Sequence, residues 1–372
     1  MDKRRCFVLY LQHKKEGKAK DKPNMKYKNF RPDYKNIEDC AFNRKPKRVP
    51  LYEHNISAGM MERILNVKFA DCLYSDPNRY FKEYCRFFYE AGYDAVSFEG
   101  CVTGVLPDGG ALAHPRPGYI DGVEKFKNYP FDKIKDLYIA SFKPQFDALR
   151  KNMPSGMKAV GGVGNGVFEN AQDLCGFEGL CVLKYDEPEL YADIFAKIGE
   201  TMYGIWEWFL SEYSDLYCVV RFGDDLGYKS NTMLPAEDIK AHIIPQYKRI
   251  IELVHKHKKP FLLHSCGNIF GVMDDLIAAG IDAKHSNEDQ IATFDVWVEK
   301  YGSKIGNFGG IDTDHLVSLE DGALKKLVTE TYSSAKKKNG GFAIGSGNSI
   351  PDYVNLQKYL IMLDTVRSLR GD

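Results

Sequence analysis

The tetrapeptide His264-Ser265-Cys266-Gly267 follows the apolar run Phe261-Leu262-Leu263. Alternate residues of a strand point to the same side, so His264 and Cys266 converge on one point as the strand ends. An imidazole nitrogen beside a thiolate is a zinc pair, and Gly267 lets the chain turn away into the next element. A core histidine beside a buried thiol reads the same way, and spacing alone does not separate the two. A catalytic zinc takes three protein ligands and keeps one open position. Glu288 is the first choice for the third, by proximity along the chain, with His285, Asp225 and the Gly345-Ser346-Gly347-Asn348 stretch as further candidates.

A second constellation is the acidic pair Asp224-Asp225, within Arg221-Phe222-Gly223-Asp224-Asp225-Leu226-Gly227. Neighbouring carboxylates in a dry pocket raise one another's pKa and supply a general acid or an anchor for a substrate hydroxyl. The plainer alternative has one Asp capping the next helix and the other in solvent. Glu53-His54-Asn55 and Glu99 end the first two strands, where the floor of a ligand site belongs. The expected roles are catalytic for Asp225 and Glu99, substrate-binding for Glu53, His54, Asp224 and Asn348, and metal-binding for His264, Cys266 and Glu288. His242, His255, His257 and His315 fall on helices or their edges and read as structural or exposed. The helically spaced Tyr203, Trp206, Trp208 and Phe209 read as core. Nothing resembles a P-loop, a nucleophile elbow or HExxH.

The elements that must position these groups are eight β-rich runs: Val49–Glu53, Ala95–Glu99, Lys158–Val163, Cys218–Phe222, Pro260–His264, Ala283–His285, Ile305–Gly309 and Gly341–Ile344. Helical segments separate them. Asn268 is placed to cap a helix that ends at Gly280, and Asp352 to cap a final helix that ends at Gly371. Pro235 and Pro245 each suit a first helical turn, giving a short helix and then one to about His257. Eight strand–helix units predict an α/β fold of the (β/α)8 TIM-barrel type, whose chemistry gathers at the C-terminal strand ends. A doubly wound open sheet ranks second, because no GxGxxG follows a first strand.

Lys+Arg and Asp+Glu balance at 51 each, so no global charge points to nucleic acid. The first 36 residues nevertheless carry eight more basic than acidic side chains. They read as a basic, mobile N-terminal segment before a single barrel domain over residues 37–372. The apolar run Cys6 to Leu11 is short for a signal peptide, and no stretch is long enough to span a membrane. Nine cysteines without a CxxC pair fit reduced thiols, and the expected location is cytoplasmic.

Four stretches carry a family resemblance: Gly223-Asp224-Asp225-Leu226-Gly227, Leu263-His264-Ser265-Cys266-Gly267-Asn268, Gly280-Ile281-Asp282 and Gly309-Gly310-Ile311-Asp312. Together they resemble the uroporphyrinogen decarboxylase superfamily, from about Asn36 to the C-terminus. That superfamily holds tetrapyrrole decarboxylases and zinc-dependent methyltransferases that exchange methyl groups with corrinoid proteins. The decarboxylases' arginine-bearing motif after the first strand is replaced here by Glu53-His54-Asn55-Ile56-Ser57-Ala58-Gly59, and their Asp after the second by Phe98-Glu99-Gly100. The resemblance is therefore closer to the methyltransferases, whose HxC pair maps onto His264 and Cys266. The thiol-methylating members place a further cysteine where this chain has Asn348. The resemblance implies Zn2+, a small methylated substrate and a corrinoid (cobalamin) carried by a partner protein, with no nucleic acid or membrane. The alternatives are a decarboxylase of the porphyrin type and a non-catalytic ligand-binding barrel.

Overall fold

A computed structural model of the chain describes residues 30–114, 116–337 and 340–372. Seven strands, β1 (Ala95–Cys101), β2 (Lys158–Gly164), β3 (Tyr217–Gly223), β4 (Phe261–His264), β5 (Ala283–His285), β6 (Gly306–Ile311) and β7 (Phe342–Ser346), form one all-parallel sheet in sequential order. Helices fill every connection, as parallel neighbours require.

The eighth expected strand, Val49–Glu53, is reduced to a bridge beside β7. Tyr52 N donates to Ile344 O at 2.9 Å and Ile344 N donates to Pro50 O at 3.0 Å. Pro50 has no N–H with which to lengthen the ladder. On the other side the segment is tied to β1 through a side chain, Ser97 Oγ donating to His54 O at 2.7 Å. Tyr52 also shows how far the sheet curls. Its ring meets those of His285 on β5 and Phe308 on β6 at 5.1 and 4.9 Å, and its hydroxyl accepts from Arg221 on β3 at 2.7 Å. Only a sheet wrapped around an interior brings one side chain against these three strands. The architecture is TIM-barrel-like, with seven strands and a bridge where eight strands were expected.

Inside the curl, Tyr52, Ala95, Val160, Cys218, Leu262, Ala283, Phe308 and Ala343 form a small inner cluster. The helix Lys35–Ala41 adds Ile37, Cys40 and Ala41 to it and closes the N-terminal end of the barrel. Cys40 Sγ donates to Phe342 O at 3.0 Å. This helix begins within the segment expected to be mobile. Residues 1–29 of that segment lie outside the described residues, whereas Phe30 is buried and Asp33 N donates to Asp94 Oδ1 at 2.8 Å.

The larger core lies between the sheet and the helices, with Trp206 and Phe209 fully buried and Tyr203 and Trp208 packed against it. Two expected caps shift. Asn268 Oδ1 accepts Phe270 N at 3.2 Å within a turn, and the helix begins later, at Met273–Ala278. Asn355, rather than Asp352, caps the final helix Leu356–Arg370, while Asp352 accepts from Ser57 Oγ at 2.7 Å. The Pro235 and Pro245 helices form as expected, joined by a π-helical turn, Ile239–Ile243. Pro245 lacks the N–H that an unbroken α-helix would use there.

Candidate metal and active centre

His264 ends β4 and lies in register with His285 at the end of β5. Their Nδ1 atoms are 2.7 Å apart, so one of them carries the shared hydrogen. His285 Nε2 lies 3.0 Å from Ser346 O, an acceptor only, and so holds a hydrogen of its own. Burial, with the Lys284 and Arg221 charges nearby, pushes the His285 imidazole down to about 3, so it is neutral and its Nδ1 is bare. The shared hydrogen therefore sits on His264 Nδ1, and His264 Nε2 presents a lone pair. That lone pair lies 3.5 Å from Cys266 Sγ and 3.7 Å from Asp225 Oδ1.

These are donor types that could hold a tetrahedral metal ion. Among the described residues, Asp225, His264 and Cys266 bring their ligand atoms within 4.8 Å of one another, as do His54, His264 and His285. Zinc with ordinary bond lengths holds a sulfur and a nitrogen about 3.5 Å apart, and a nitrogen and an oxygen about 3.3 Å apart. The first set fits those spacings with little movement. In the second, His264 and His285 already spend their facing nitrogens on each other. His54 stacks on His264 with ring centroids 3.8 Å apart, and its buried Nδ1 has no hydrogen-bond partner. Burial and the neighbouring imidazoles hold both rings well below the usual histidine range.

The turn after Cys266 is built to hold the sulfur still. Cys266 N donates to Asp225 Oδ1 at 2.9 Å. Gly267 adopts φ 78°, and a Cβ there would meet Gly227 C at 2.2 Å, so the close approach of the β3 and β4 loops requires glycine. Asn348 Nδ2 lies 3.2 Å from Cys266 Sγ and Ser286 Oγ 3.7 Å, both on the donor side. Burial and the Asp225 carboxylate raise the free thiol well above its ordinary value. A metal would reverse that shift, because a coordinating thiol is deprotonated outright.

The expected site residues divide accordingly. His264, Cys266, Asp225, Asn348 and His54 are brought together. Glu288 is not in the set, because its Oε1 accepts from Gly267 N at 2.9 Å and fixes the turn instead. Asp224 faces away from the pair. It accepts from Phe168 N, Glu169 N and Tyr247 Oη at 2.9, 2.7 and 2.5 Å, capping the helix Val167–Cys175 that follows β2. Glu53 is buried behind β7 against Ser346 N and Oγ. Glu99 reaches the interior, but its Oε2 accepts from Arg221 Nε at 2.9 Å and from a terminal nitrogen at 2.8 Å. Arg221 also donates to Tyr52 Oη and Ser97 Oγ, at 2.7 and 3.0 Å, within the barrel.

Two further groups complete the centre. Glu169 stands in the first turn of the Val167–Cys175 helix, with Oε2 accepting from Asn165 Nδ2 at 2.8 Å. Burial, then the Asp225 and Asp224 charges, raise its carboxyl well above the usual range. No motif marked Glu169, because a glutamate in a first helical turn is commonplace. Lys284 lies on the outer face of β5, 3.6 Å from the centre of the Trp297 ring, with Nζ donating to Ser286 O. It props the loop that carries Ser286.

No protein of curated function matches the chain in sequence. In structure it is similar to a methyltransferase from Methanosarcina mazei, with a TM-score of 0.64 and 14% identity over 87% of this chain and 95% of that one. A B12-independent methionine synthase from Shewanella sp. W3-18-1 is a weaker likeness, with a TM-score of 0.41 and 13% identity over 61% of this chain and 67% of that one. At such identities the likeness is one of fold. Among the described residues, no helix is long and apolar enough to cross a membrane. The uroporphyrinogen decarboxylase (URO-D) profile matches residues 36–369, a span that takes in all but the first residue of the sealing helix, all seven strands and the whole of the His264–Cys266 centre, and the chain belongs to that family.

Proposed function

We propose that the chain is a methyltransferase that moves a methyl group between a small methylated substrate and the corrinoid (cobalamin) of a partner protein, with Zn2+ held by His264, Cys266 and Asp225. The observation that carries this reading is the His264 Nε2 lone pair, facing Cys266 Sγ at 3.5 Å and Asp225 Oδ1 at 3.7 Å. Zinc at that point supplies a Lewis acid that lowers the pKa of a substrate thiol or polarises an ether oxygen. An oxygen donor from Asp225 stands where Glu288 was expected. Asn348, at the position of the expected third cysteine, donates to the Cys266 sulfur instead of binding metal.

We assign proton donation to Glu169, in place of Asp225 or Glu99, the two residues expected to be catalytic. Burial beside the Asp225 and Asp224 charges favours its protonated form, whereas Glu99 Oε2 is committed to Arg221. Decarboxylation of a polyanionic tetrapyrrole is the weaker reading. Arg221, the arginine inside the barrel, spends its donors on Glu99, Tyr52 and Ser97 and has little to offer a carboxylate.

The reading is tested by metal analysis of protein purified without chelator, and by methyl transfer from methylated thiols, ethers and amines to a Co(I) corrinoid. One zinc per chain, lost in His264→Ala and Cys266→Ser, is expected. A wild-type chain with neither zinc nor zinc affinity overturns the metal assignment. Formation of coproporphyrinogen from uroporphyrinogen overturns the methyltransferase assignment.

A further inference from the structure

Ser346, the last residue of β7, is bonded through every polar atom it has, and two of those bonds lead to the centre. Its carbonyl accepts from His285 Nε2 at 3.0 Å. Its N–H donates to the Glu53 carboxyl, with Oε1 at 3.1 Å and Oε2 at 3.2 Å. Its hydroxyl touches two oxygens at once, Glu53 Oε2 and Asn348 O, the latter at 2.8 Å.

A serine hydroxyl has one hydrogen and so donates once. Asn348 O is a carbonyl and only accepts. If Glu53 were ionised, the hydroxyl would face two acceptors with one hydrogen, and a buried lone-pair contact would remain. All the contacts are satisfied together when Glu53 carries the proton. Glu53 then donates to Ser346 Oγ, and Ser346 Oγ donates to Asn348 O. Glu53 has no cation in hydrogen-bond contact among the described residues, and a buried carboxyl without one is more stable neutral.

Two arms lead from Ser346. Through its carbonyl it holds the hydrogen of His285 on Nε2, which leaves His285 Nδ1 to accept from His264 Nδ1 and turns the His264 Nε2 lone pair toward Cys266. Through its hydroxyl it holds the Asn348 backbone. The Asn348 side chain is oriented in turn by Oδ1 accepting from Ser349 N at 2.8 Å, so that Nδ2 points at Cys266 Sγ at 3.2 Å. We infer that Glu53, as a neutral acid, and Ser346 are positioning residues that set the His264 tautomer and the hydrogen bond to Cys266 together. This inference rests on the reading of His264 and Cys266 as a metal pair. Ligating histidines are commonly oriented through their second nitrogen, and loss of such a partner typically costs 10- to 100-fold in metal affinity. Here the partner of one ligand is chained to the partner of the other.

The test uses the full-length, metal-free protein with 15N-labelled histidine. Long-range proton–nitrogen correlations report which nitrogen of His264 is protonated, and Co2+ titration followed by absorption reports affinity and ligand field. Wild type is expected to show His264 protonated at Nδ1. Glu53→Gln is expected to keep that tautomer and bind Co2+ within about threefold of wild type, because an amide also donates to Ser346 Oγ and accepts from Ser346 N–H. Glu53→Leu is expected to populate the Nε2-protonated form, weaken Co2+ binding by about 10- to 100-fold and alter its spectrum, whereas Ser346→Ala, which keeps the carbonyl that holds His285 and loses only the hydroxyl that holds Asn348, is expected to keep the tautomer and alter the Co2+ spectrum alone. An Nε2-protonated His264 in wild type overturns the inference, and so does a Glu53→Gln as impaired as Glu53→Leu. A protein that keeps the expected tautomer and its dependence on Glu53 but binds no metal supports the relay and sinks the metal reading alone.

Discussion

The two ends of the barrel are built from the same strands and do opposite things. At the N-terminal end, Ala95, Val160, Cys218, Leu262, Ala283 and Ala343 turn small or apolar side chains inward, and the Lys35–Ala41 helix seals them from solvent. At the C-terminal end, residues a few positions further along carry imidazoles, a thiol and carboxylates within hydrogen-bond reach of one another. Phe261-Leu262-Leu263-His264 makes the change within one strand. The difference teaches a division of labour. The bottom stabilises by removing apolar surface from water, and that stability supports the burial of polar groups at the top, each of which needs its partners.

The comparison breaks most visibly if mutations at the two ends have the same consequence. His264→Ala and Cys266→Ser are expected to lower methyl transfer at least about 10³-fold and abolish zinc binding while leaving the chain folded, as metal analysis and circular dichroism will show. Ile37→Ala in the sealing helix should do the reverse, costing about 2–5 kcal/mol in denaturant unfolding while zinc stoichiometry stays at the wild-type level. An Ile37→Ala protein that is stable but metal-free would show that the ends are not separable.

Glu53 links the halves through pH. Burial raises its carboxyl to about 8, against an unfolded value of about 4.3. Between those values the folded chain holds a proton that the unfolded chain has released. This contribution is therefore complete below the unfolded pKa and declines as pH rises toward the folded one. From pH 5 to 7 it should amount to at most about 3 kcal/mol, read as the difference in pH slope of unfolding free energy between wild type and Glu53→Gln. Equal slopes would show that Glu53 is ionised in the fold.

Glu169→Gln sharpens the comparison within the mouth. If Glu169 is the proton donor, kcat should fall about 10²-fold with KM little changed, and the pH–rate profile should lose one limb. Glu99→Gln should instead act through Arg221 packing and raise KM. The smallest effect belongs to a helix cap outside the centre. Asn355→Ala removes the cap of the last helix, where Oδ1 accepts Gln357 N at 2.8 Å. It should cost about 1 kcal/mol and leave turnover unchanged.

Strand–helix alternation was legible because parallel strands buried on both faces leave short apolar runs, and Gly280 and Gly371 mark helix ends that the structure keeps. His264 and Cys266 were legible because a strand's alternation is local: residues two apart face together whatever the rest of the chain does. What surrounds them was not. Asp225, not Glu288, lies beside the pair because the β3 loop folds over the Cys266 turn at Gly227 and Gly267, a contact between residues 40 apart in sequence. Glu53 reads as a mouth residue on strand position, yet Tyr52 takes the interior and turns Glu53 to the back of β7. The first strand shrinks to a bridge because its pairing depended on a partner nearly 300 residues away and on the missing N–H of Pro50. Sequence alone thus determined the fold class, the strand ends and the pair at one of them, all set by short-range backbone geometry. Tertiary structure alone decided which carboxylate lies beside the pair and which groups face His264, His285 and Glu53, because each depends on where a distant segment of the chain folds back.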